Sequence, residues 1–541
     1  MARLLELYLP DLIVFLAFVT TVVTLGLIKS RRGQTSEDYF LAGRGLSWWL
    51  IGFSLIAANI STEQFVGMSG NAASHVGIAI ASYEWIAAIT LVVVAFAFLP
   101  YFLRIGIFTM PEFLEYRYNV AARTIMAVAT LFIYLILLGS VTYSGALTIR
   151  TVAGKMGYEV SLFTGSLAIG LIAMLYVAAG GLRACAWADL IQGSALIIGG
   201  GVIMYFAITK LGAAKEAAYF VDVQTGTVGI KALAQEVGPI ERFRDLNSPR
   251  LTMFLPSGDR VIPWTALLLG IWIPNFYYWG LNQYITQRTL GSRSLAQGQQ
   301  GIVFAAFLKL LIPFVIVFPG IIAFNLFAKD MQLEAAGDNA PRLAKYLLAN
   351  PDTAYVQVRQ SPSEEEIRKW KAGKFLIAVY PDESSLSKIK ILNPYVLPMT
   401  EERYREVKED YQRKKAENKF FVFESEDLAW AMENPGLAAE MKKYNERIRK
   451  EAEKVGGTIK TEKPIAYKYD TALGQLLSSV LPQGKGYLGF VMAALLGAVV
   501  SSIAAMLNAA STIFSMDVFR RFIAPRASQS ALVFVGRFCV V

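Results

Sequence analysis

Two cysteines and one histidine are all that 541 residues hold of the usual soft metal ligands. A thiolate–imidazole zinc centre and a disulfide framework are therefore not expected. Cys185 and Cys539 sit in apolar settings and read as buried thiols, and His75 reads as an ordinary loop histidine. Charge is scarce too. Asp, Glu, Lys and Arg make up 17% of the chain while 55% is hydrophobic, too apolar a balance for an ordinary soluble protein. The small excess of basic residues does not call for nucleic acid. No nucleophile–base pair or metal-ligand cluster falls in the apolar stretches, so the chain does not read as an enzyme. A secretory signal is not visible either: the first apolar run is too long for a signal core, and no small-residue cleavage site follows it.

What is abundant is long apolar runs. Windows of about 20 apolar residues, the length of a membrane-crossing helix, fall near 8–28, 46–68, 77–103, 121–149, 159–180, 186–210, 262–285, 301–327 and 486–515. A last run begins near Ala531 and reaches Val541. It is about half a span, so the natural protein is expected to continue. Basic residues collect in alternate short connections: Lys29, Arg31, Arg32 and Arg44 after the first run, Arg104, Arg117 and Arg123 after the third, Arg183 after the fifth, Arg288 and Arg293 after the seventh, Arg520, Arg521 and Arg526 after the ninth. The other short connections carry none, or only Arg150 and Lys155. This bias puts the N-terminus outside the cell, together with the loops at 211–261 and 328–485. The first loop is predicted to hold a short helix near 230–243. The second holds about half of all the charges, nearly balanced in sign. Helical charge patterning at 401–419 and 436–455 and strand-like KFLIAVYP and KFFVFES predict a small α+β module there. The domain reading is 1–327, an extracytoplasmic insertion at 328–485, and 486–541.

Two runs are interrupted. In SLIAANISTEQFVGMSG, residues 54–70, five polar side chains occupy the middle of the second run. In GIWIPNFYYWGLNQYITQR, residues 270–288, Pro274 and Asn275 interrupt the seventh. Proline removes a backbone donor, and backbone left unpaired at membrane depth must be buried in protein or line a wet cavity. Breaks are therefore predicted at 57–60 and 273–278. The two runs lie five apart, as an inverted five-helix repeat requires, and paired interruptions of that kind point to a transporter's binding site. In the ninth run Ala498, Ser501 and Ser502 stand at i, i+3 and i+4, on one helix face. Two hydroxyls and a carbonyl there, with carbonyls freed near 57–60, approach the five or six oxygens a dry hard cation needs. Packing by small polar residues is the alternative for that face. Glu84 and Lys309 lie deep in apolar runs, where charge is costly and marks function. Paired, each lowers the cost of the other.

The stretches AANISTEQFVGMSG, IASYEW, TMPEFLEYRYN, GGLRACAWADLIQG, NQYITQR and SSIAAMLNAASTIFSMDVF closely resemble the sodium:solute symporter family, and within it the sodium/glucose–galactose cotransporters. The resemblance covers about residues 8–327 and 486–541. It implies an all-α polytopic membrane protein with a LeuT-type inverted five-helix repeat (the second repeat incomplete here), one leading helix, and an extracytoplasmic α+β insertion. It implies a sodium site from the carbonyls of Ala57, Ile60 and Ala498 and the hydroxyls of Ser501 and Ser502. Asp189, at the cytoplasmic edge of the sixth run, matches an acidic residue on the ion's exit route, or else a carboxylate snorkelling to water. Gln64, Glu84, Asn275 and Lys309 match polar sugar contacts, with Asn59 and Glu63 beside them. Tyr278 matches an inner gate, with Met68 and Tyr83 as an outer cover.

The residue types suit a sugar, whose rim of hydroxyls needs amides and a carboxylate and whose C–H face needs an aromatic ring. Two departures stand out. Ala87 replaces a serine of some sugar-binding members, and a glutamine and a phenylalanine of the tenth core helix are missing. The resemblance thus implies sodium-coupled symport of a glucose- or galactose-like sugar across the plasma (inner) membrane, with Na⁺, the solute and lipid as partners. The alternative is an inositol, sialic acid or organic anion as solute. A membrane-embedded sensor would need a signalling domain beyond Val541.

Overall fold

Apolar stretches that have no water to satisfy their backbones form helices. The computed structural model describes residues 8–29, 35–155, 160–215, 218–221, 228–233, 236–370, 373–387, 393–425 and 428–541. Within these, the side chains of Thr62, Glu63, Thr148, 151–155, Ser387 and Leu428 are outside the description, as are Arg31 and Arg32 altogether. The elements that build the site are α1 (Leu9–Lys29), α2 (Trp48–Asn59), α3 (Thr62–Ala73), α4 (Ser82–Val93), α5 (Val120–Lys155), α6 (Leu162–Ala213), α7 (Trp272–Gly280), α8 (Gln283–Leu290), α9 (Leu295–Ala349), α10 (Tyr487–Ile513) and α11 (Gln529–Val540).

Six helices among the described residues are long and apolar enough to cross a membrane, where nine apolar runs were predicted. Two physical causes account for the difference. The fifth and sixth runs have no loop between them: α6 turns back at Gly181, whose φ of +54° is open to glycine and strained for other residues. A Cβ there would also lie 2.1 Å from the Tyr39 carbonyl oxygen. The second and seventh runs are each split into pieces too short to cross alone.

The first split falls where the polar residues are. α2 ends at Asn59, Ile60 is extended (φ −84°, ψ 107°), and α3 begins at Thr62 with Ser61 as its N-cap. The second split is not at 273–278. That segment is continuous helix in α7, and the chain breaks instead at Leu281–Asn282, before α8. Pro274 sits in the first turn of α7, directly after a π-turn at Ala266–Gly270. The helix leads in from Trp264 through that π-turn and a helical Ile271, so the helical path runs past the proline, and the widened turn before it takes up the ring and the missing N–H.

α10 is the centre of the bundle: 83% of its most apolar window, taken with the turn that follows, is buried. It packs on both limbs of α6, on α1 and on α5, while α9 packs on α2, α3 and α4. The leading helix docks through Asp11, fully buried, whose carboxylate accepts the Gly489 N–H at the start of α10 (3.3 Å).

α9 bends at Phe327 (φ −131°, ψ 20°) and runs on to Ala349, so the insertion opens with a helical extension of a membrane span. Strands Val356–Gln360, Phe375–Tyr380 and Val396–Thr400 form a parallel sheet, and Lys419–Phe423 pairs in parallel with Thr458–Glu462. Helices link successive strands, so the module is built of βαβ crossovers. The 211–261 loop differs from its reading: Ala218–Val221 and Val228–Lys231 form an antiparallel pair, and the helix lies at Pro239–Asn247. His75 is held rather than free, with Nε2 2.8 Å from Asp259 Oδ2. Burial raises the Asp259 carboxyl, but the N–H groups of Ile262 and Val261 and the imidazole outweigh it and hold the group below the usual carboxylate range.

Candidate functional site

The site grows from the gap between α2 and α3. The Ile60 N–H makes the last bond of the α2 ladder, to Ile56 O (2.9 Å), so the carbonyls from Ala57 to Asn59 fall past its end. The negative end of α2 therefore faces this point. Ser502, on α10, comes to the same place: its hydroxyl lies 3.4 Å from Ala58 O, longer than an ordinary O–H···O bond of about 2.7–2.8 Å. Ala57, Ile60, Ala498, Ser501 and Ser502 are all buried. The contact made by Ser502 is to Ala58, a residue not in the predicted set.

Ser501 turns the other way and donates to Asp189 Oδ1 (2.6 Å). Asp189 does not snorkel to water, since it is 0% exposed. Its Oδ2 accepts from Ser54 Oγ (2.5 Å) and from Arg288 Nη2 (2.9 Å). Arg288 was read among the basic residues of a short connection, yet it is 1% exposed. Its Nε donates to Ser54 Oγ (2.7 Å) and it also binds the Tyr284 carbonyl. A charge taken out of water needs a partner and further hydrogen bonds, and this pair has both.

On the other side of the gap is a cavity of about 370 Å³, within the usual range of small-molecule sites, roughly 300–1,000 Å³. Asn59, Gln64, Met68, Tyr83, Glu84, Ala87, Asn275, Tyr278 and Lys309 line it, joined by Pro274, Tyr277 and Trp279. A hydrogen-bond chain runs around it. Gln64 Nε2 donates to Glu84 Oε1 (2.6 Å) and Lys309 Nζ to Glu84 Oε2 (2.6 Å). Lys309 also binds Asn59 Oδ1, Asn59 Nδ2 donates to the Tyr278 hydroxyl (3.0 Å), and the Tyr284 hydroxyl donates to Tyr278 (2.7 Å). The ammonium of Lys309 lies 5.2 Å from the Trp279 ring centre, a cation–π contact. Asn275 stands at the wall but spends its amide N–H on Ile271 O of its own helix turn (2.9 Å). The Glu63 side chain is outside the described residues. The walls thus offer amides, a carboxylate, an ammonium and aromatic faces around one space.

The sequence model of the sodium:solute symporter family matches residues 39–362 and 462–541. The chain belongs to this family. Residues 1–38 and 363–461 are unmatched; the second stretch lies inside 328–485, whose flanks 328–362 and 462–485 fall within the matched ranges. Over 359 residues the chain is 42% identical to a sodium/glucose cotransporter of Vibrio parahaemolyticus, covering 65% of this chain and 61% of that protein. It is 36% identical over 326 residues to the uncharacterized symporter YidK of Escherichia coli (58% and 52%), and 31% identical over 362 residues to human sodium/myo-inositol cotransporter 2 (64% and 49%). The chain therefore spans between about half and three fifths of the length of these relatives. The solved substrate-bound, outward-open structure of a Na⁺-coupled sialic acid symporter superposes with a TM-score of 0.63 at 16% identity, covering 98% of this chain and 79% of that one. At that identity the likeness concerns the fold.

Residues that sequence reasoning missed include Arg288, Ser54, Trp279, Tyr284 and Tyr134. Gln192 is another: it is buried beside Gly497 of α10, and its Oε1 has no hydrogen-bond partner among the described residues. One signal was available, the spacing of Asp189 and Gln192 at i and i+3 on one helix face.

Proposed function

We propose that the protein carries out sodium-coupled symport of a glucose- or galactose-like sugar into the cell by alternating access. The observation that carries this reading is the junction at Asn59–Ile60. There a helix end with carbonyls past its ladder meets Ser502 on one side and opens, through Asn59, into a ring of sugar-suited polar and aromatic side chains on the other. The arrangement fits a LeuT-type inverted five-helix repeat with α1 in front, the N-terminus and the inserted module outside, and the basic connections inside the plasma (inner) membrane.

Sodium would be held by the carbonyls of Ala57, Ile60 and Ala498 and the hydroxyls of Ser501 and Ser502. Ser501 donates its proton to Asp189, which leaves its lone pairs for a cation. Sodium entering from outside joins α2 to α10 and shapes the cavity, and the sugar follows. Rearrangement of the bundle then displaces Tyr278 from Asn59 and Tyr284 and opens the inner side. Coupling needs only that sodium bind one state better than the other. The membrane potential adds about 2.3 kcal/mol per charge per 100 mV. Because the Asp189 carboxylate is neutralised by Arg288, one sodium per sugar is the stoichiometry this site supports.

Ala87 at the cavity wall removes one hydroxyl contact, and similar proteins include myo-inositol cotransporters. A polyol or another solute is therefore the second reading. Reconstitution in liposomes under an inward sodium gradient tests both. Labelled galactose or glucose is expected to accumulate. Sodium-driven accumulation of inositol or sialic acid, with no competition from either sugar, would move the assignment to the second reading.

A further inference from the structure

From the sodium site toward the basic end of the bundle, α10 and the π-turns that continue it at Phe514–Ile523 carry a line of polar side chains. Ser501, Asn508 and Ser515 are seven residues apart, two helical turns, so they share one face. Thr512 lies on the same face, and Asp517, two residues past Ser515, lies farther around the helix beyond the end of the line. All are buried, as is Gln287 of α8, which faces the line: its Nε2 donates to Thr512 Oγ1 (2.8 Å) and to Phe40 O (2.6 Å).

Four oxygens along this line have no hydrogen-bond partner among the described residues: Asn508 Oδ1, Gln287 Oε1, Ser515 Oγ and Asp517 Oδ2. Buried polar atoms are nearly always paired. Small polar residues that only glue helices together hydrogen-bond across the interface, and these acceptors do not. A row of bare acceptors suits water or a cation, which supplies what acceptors lack. The helix widens to π geometry from Phe514, beside Ser515, and such widenings recur at functional sites. At the mouth, Asp517 Oδ1 accepts from Thr109 (2.9 Å) and from Arg123 Nε (2.7 Å), and Arg123 pairs with Glu115 (2.6 Å). Asp189 is less suited to be the station beyond the site, because its oxygens are taken by Ser501, Ser54 and Arg288.

The geometry points to an inward exit path for the cation along this face, by way of Asn508, Gln287 and Ser515 and then around the widened turn to Asp517, closed in the present state and hydrated when the inner side opens. This rests on the symport reading above and names the route by which its sodium leaves. It differs from a route through Asp189.

The test separates sodium release from solute movement. Asn508→Leu and Ser515→Ala are made in the full-length protein in liposomes. Net galactose uptake down a sodium gradient requires release inside; exchange of labelled galactose with equal, saturating sodium on both faces does not. Net uptake is expected to fall about tenfold in Asn508→Leu, while exchange and the external sodium concentration for half-maximal uptake stay within about twofold. Asn508→Ser, which keeps an oxygen, is expected to recover most of the net rate. Unchanged net uptake in both variants overturns the path, and so does an equal fall of uptake and exchange, which would mean a packing role. If Asn508→Leu does not fold, the near-isosteric Thr512→Val and Ser515→Ala carry the same comparison. Failure of the symport reading itself looks different: no sodium-driven uptake by the unsubstituted protein.

Discussion

The two interrupted helices are alike in sequence logic and opposite in structure. Between α2 and α3 the carbonyls after Ile56 fall past the ladder, and Ser502 approaches Ala58 O only to 3.4 Å. Between α7 and α8 the ladder also ends short, with the Leu281 and Asn282 N–H groups on Tyr277 O, but side chains from other segments engage the joint. The Tyr134 hydroxyl donates to Asn282 Oδ1 (2.5 Å) and accepts the Tyr284 N–H (3.0 Å), while Gln283 accepts the Met110 N–H (2.8 Å) and donates to Phe108 O (3.1 Å). The difference lies in what reaches each gap: side chains of other helices tie down the α8 end of the second, while only Ser502 approaches the carbonyls of the first. On the proposed reading the first gap is the ion's side and the second, next to the Tyr278–Tyr284 contact, its hinge side.

The largest effect is expected at Lys309, which ties the first gap to the cavity through Asn59 and Glu84. Lys309→Met leaves Glu84 buried without its cation, a loss of about 3–5 kcal/mol, and should abolish uptake and lower folded yield. The double variant Glu84→Gln/Lys309→Met should recover thermal stability but not uptake. Recovery of both would reduce the pair to a structural tie.

Ser502→Ala comes next. It should raise the sodium concentration for half-maximal uptake about tenfold, equivalent to about 1.4 kcal/mol, with little change in melting temperature. An unaltered sodium dependence would remove α10 from the ion site. The smallest effect on transport is expected from Tyr134→Phe at the second gap. Loss of its hydroxyl leaves Asn282 and the Tyr284 N–H unsatisfied and should cost roughly 1–3 kcal/mol of stability, while the sodium requirement stays put. If that requirement shifts as far as in Ser502→Ala, the two gaps are not different in kind.

These contrasts show which features of the site could be read from the chain. Glu84 and Lys309 stood out because charge in an apolar run is costly, and they sit 2.6 Å apart. The break near Asn59 was legible because polar side chains cluster there. Pro274 misled, since the π-turn ahead of it lets the helix run past the ring without a gap. Arg288 misled for a related reason. Position along the chain placed it among the loop cations, and only the fold buries it against Asp189, 99 residues away in sequence. Tyr134 and Trp279 carried no signal, being ordinary aromatics in apolar helices until packing aims one into a gap and the other beneath an ammonium.

The sequence by itself determined the apolar runs, the first gap, the polar face of Ser501 and Ser502, and the insertion that interrupts the family's pattern. Each is a property of neighbours along the chain, expressed as hydropathy, helical period or the cost of a polar group in an apolar segment. The tertiary structure alone decided which groups at the gaps are met by other helices. Tyr134 reaches the second gap from another helix, Asp189 is neutralised by an arginine from α8, and Gln287 faces a row of bare oxygens on α10. Whether a polar atom has a partner depends on what is near it in space, and helices that approach each other from distant parts of the chain set that.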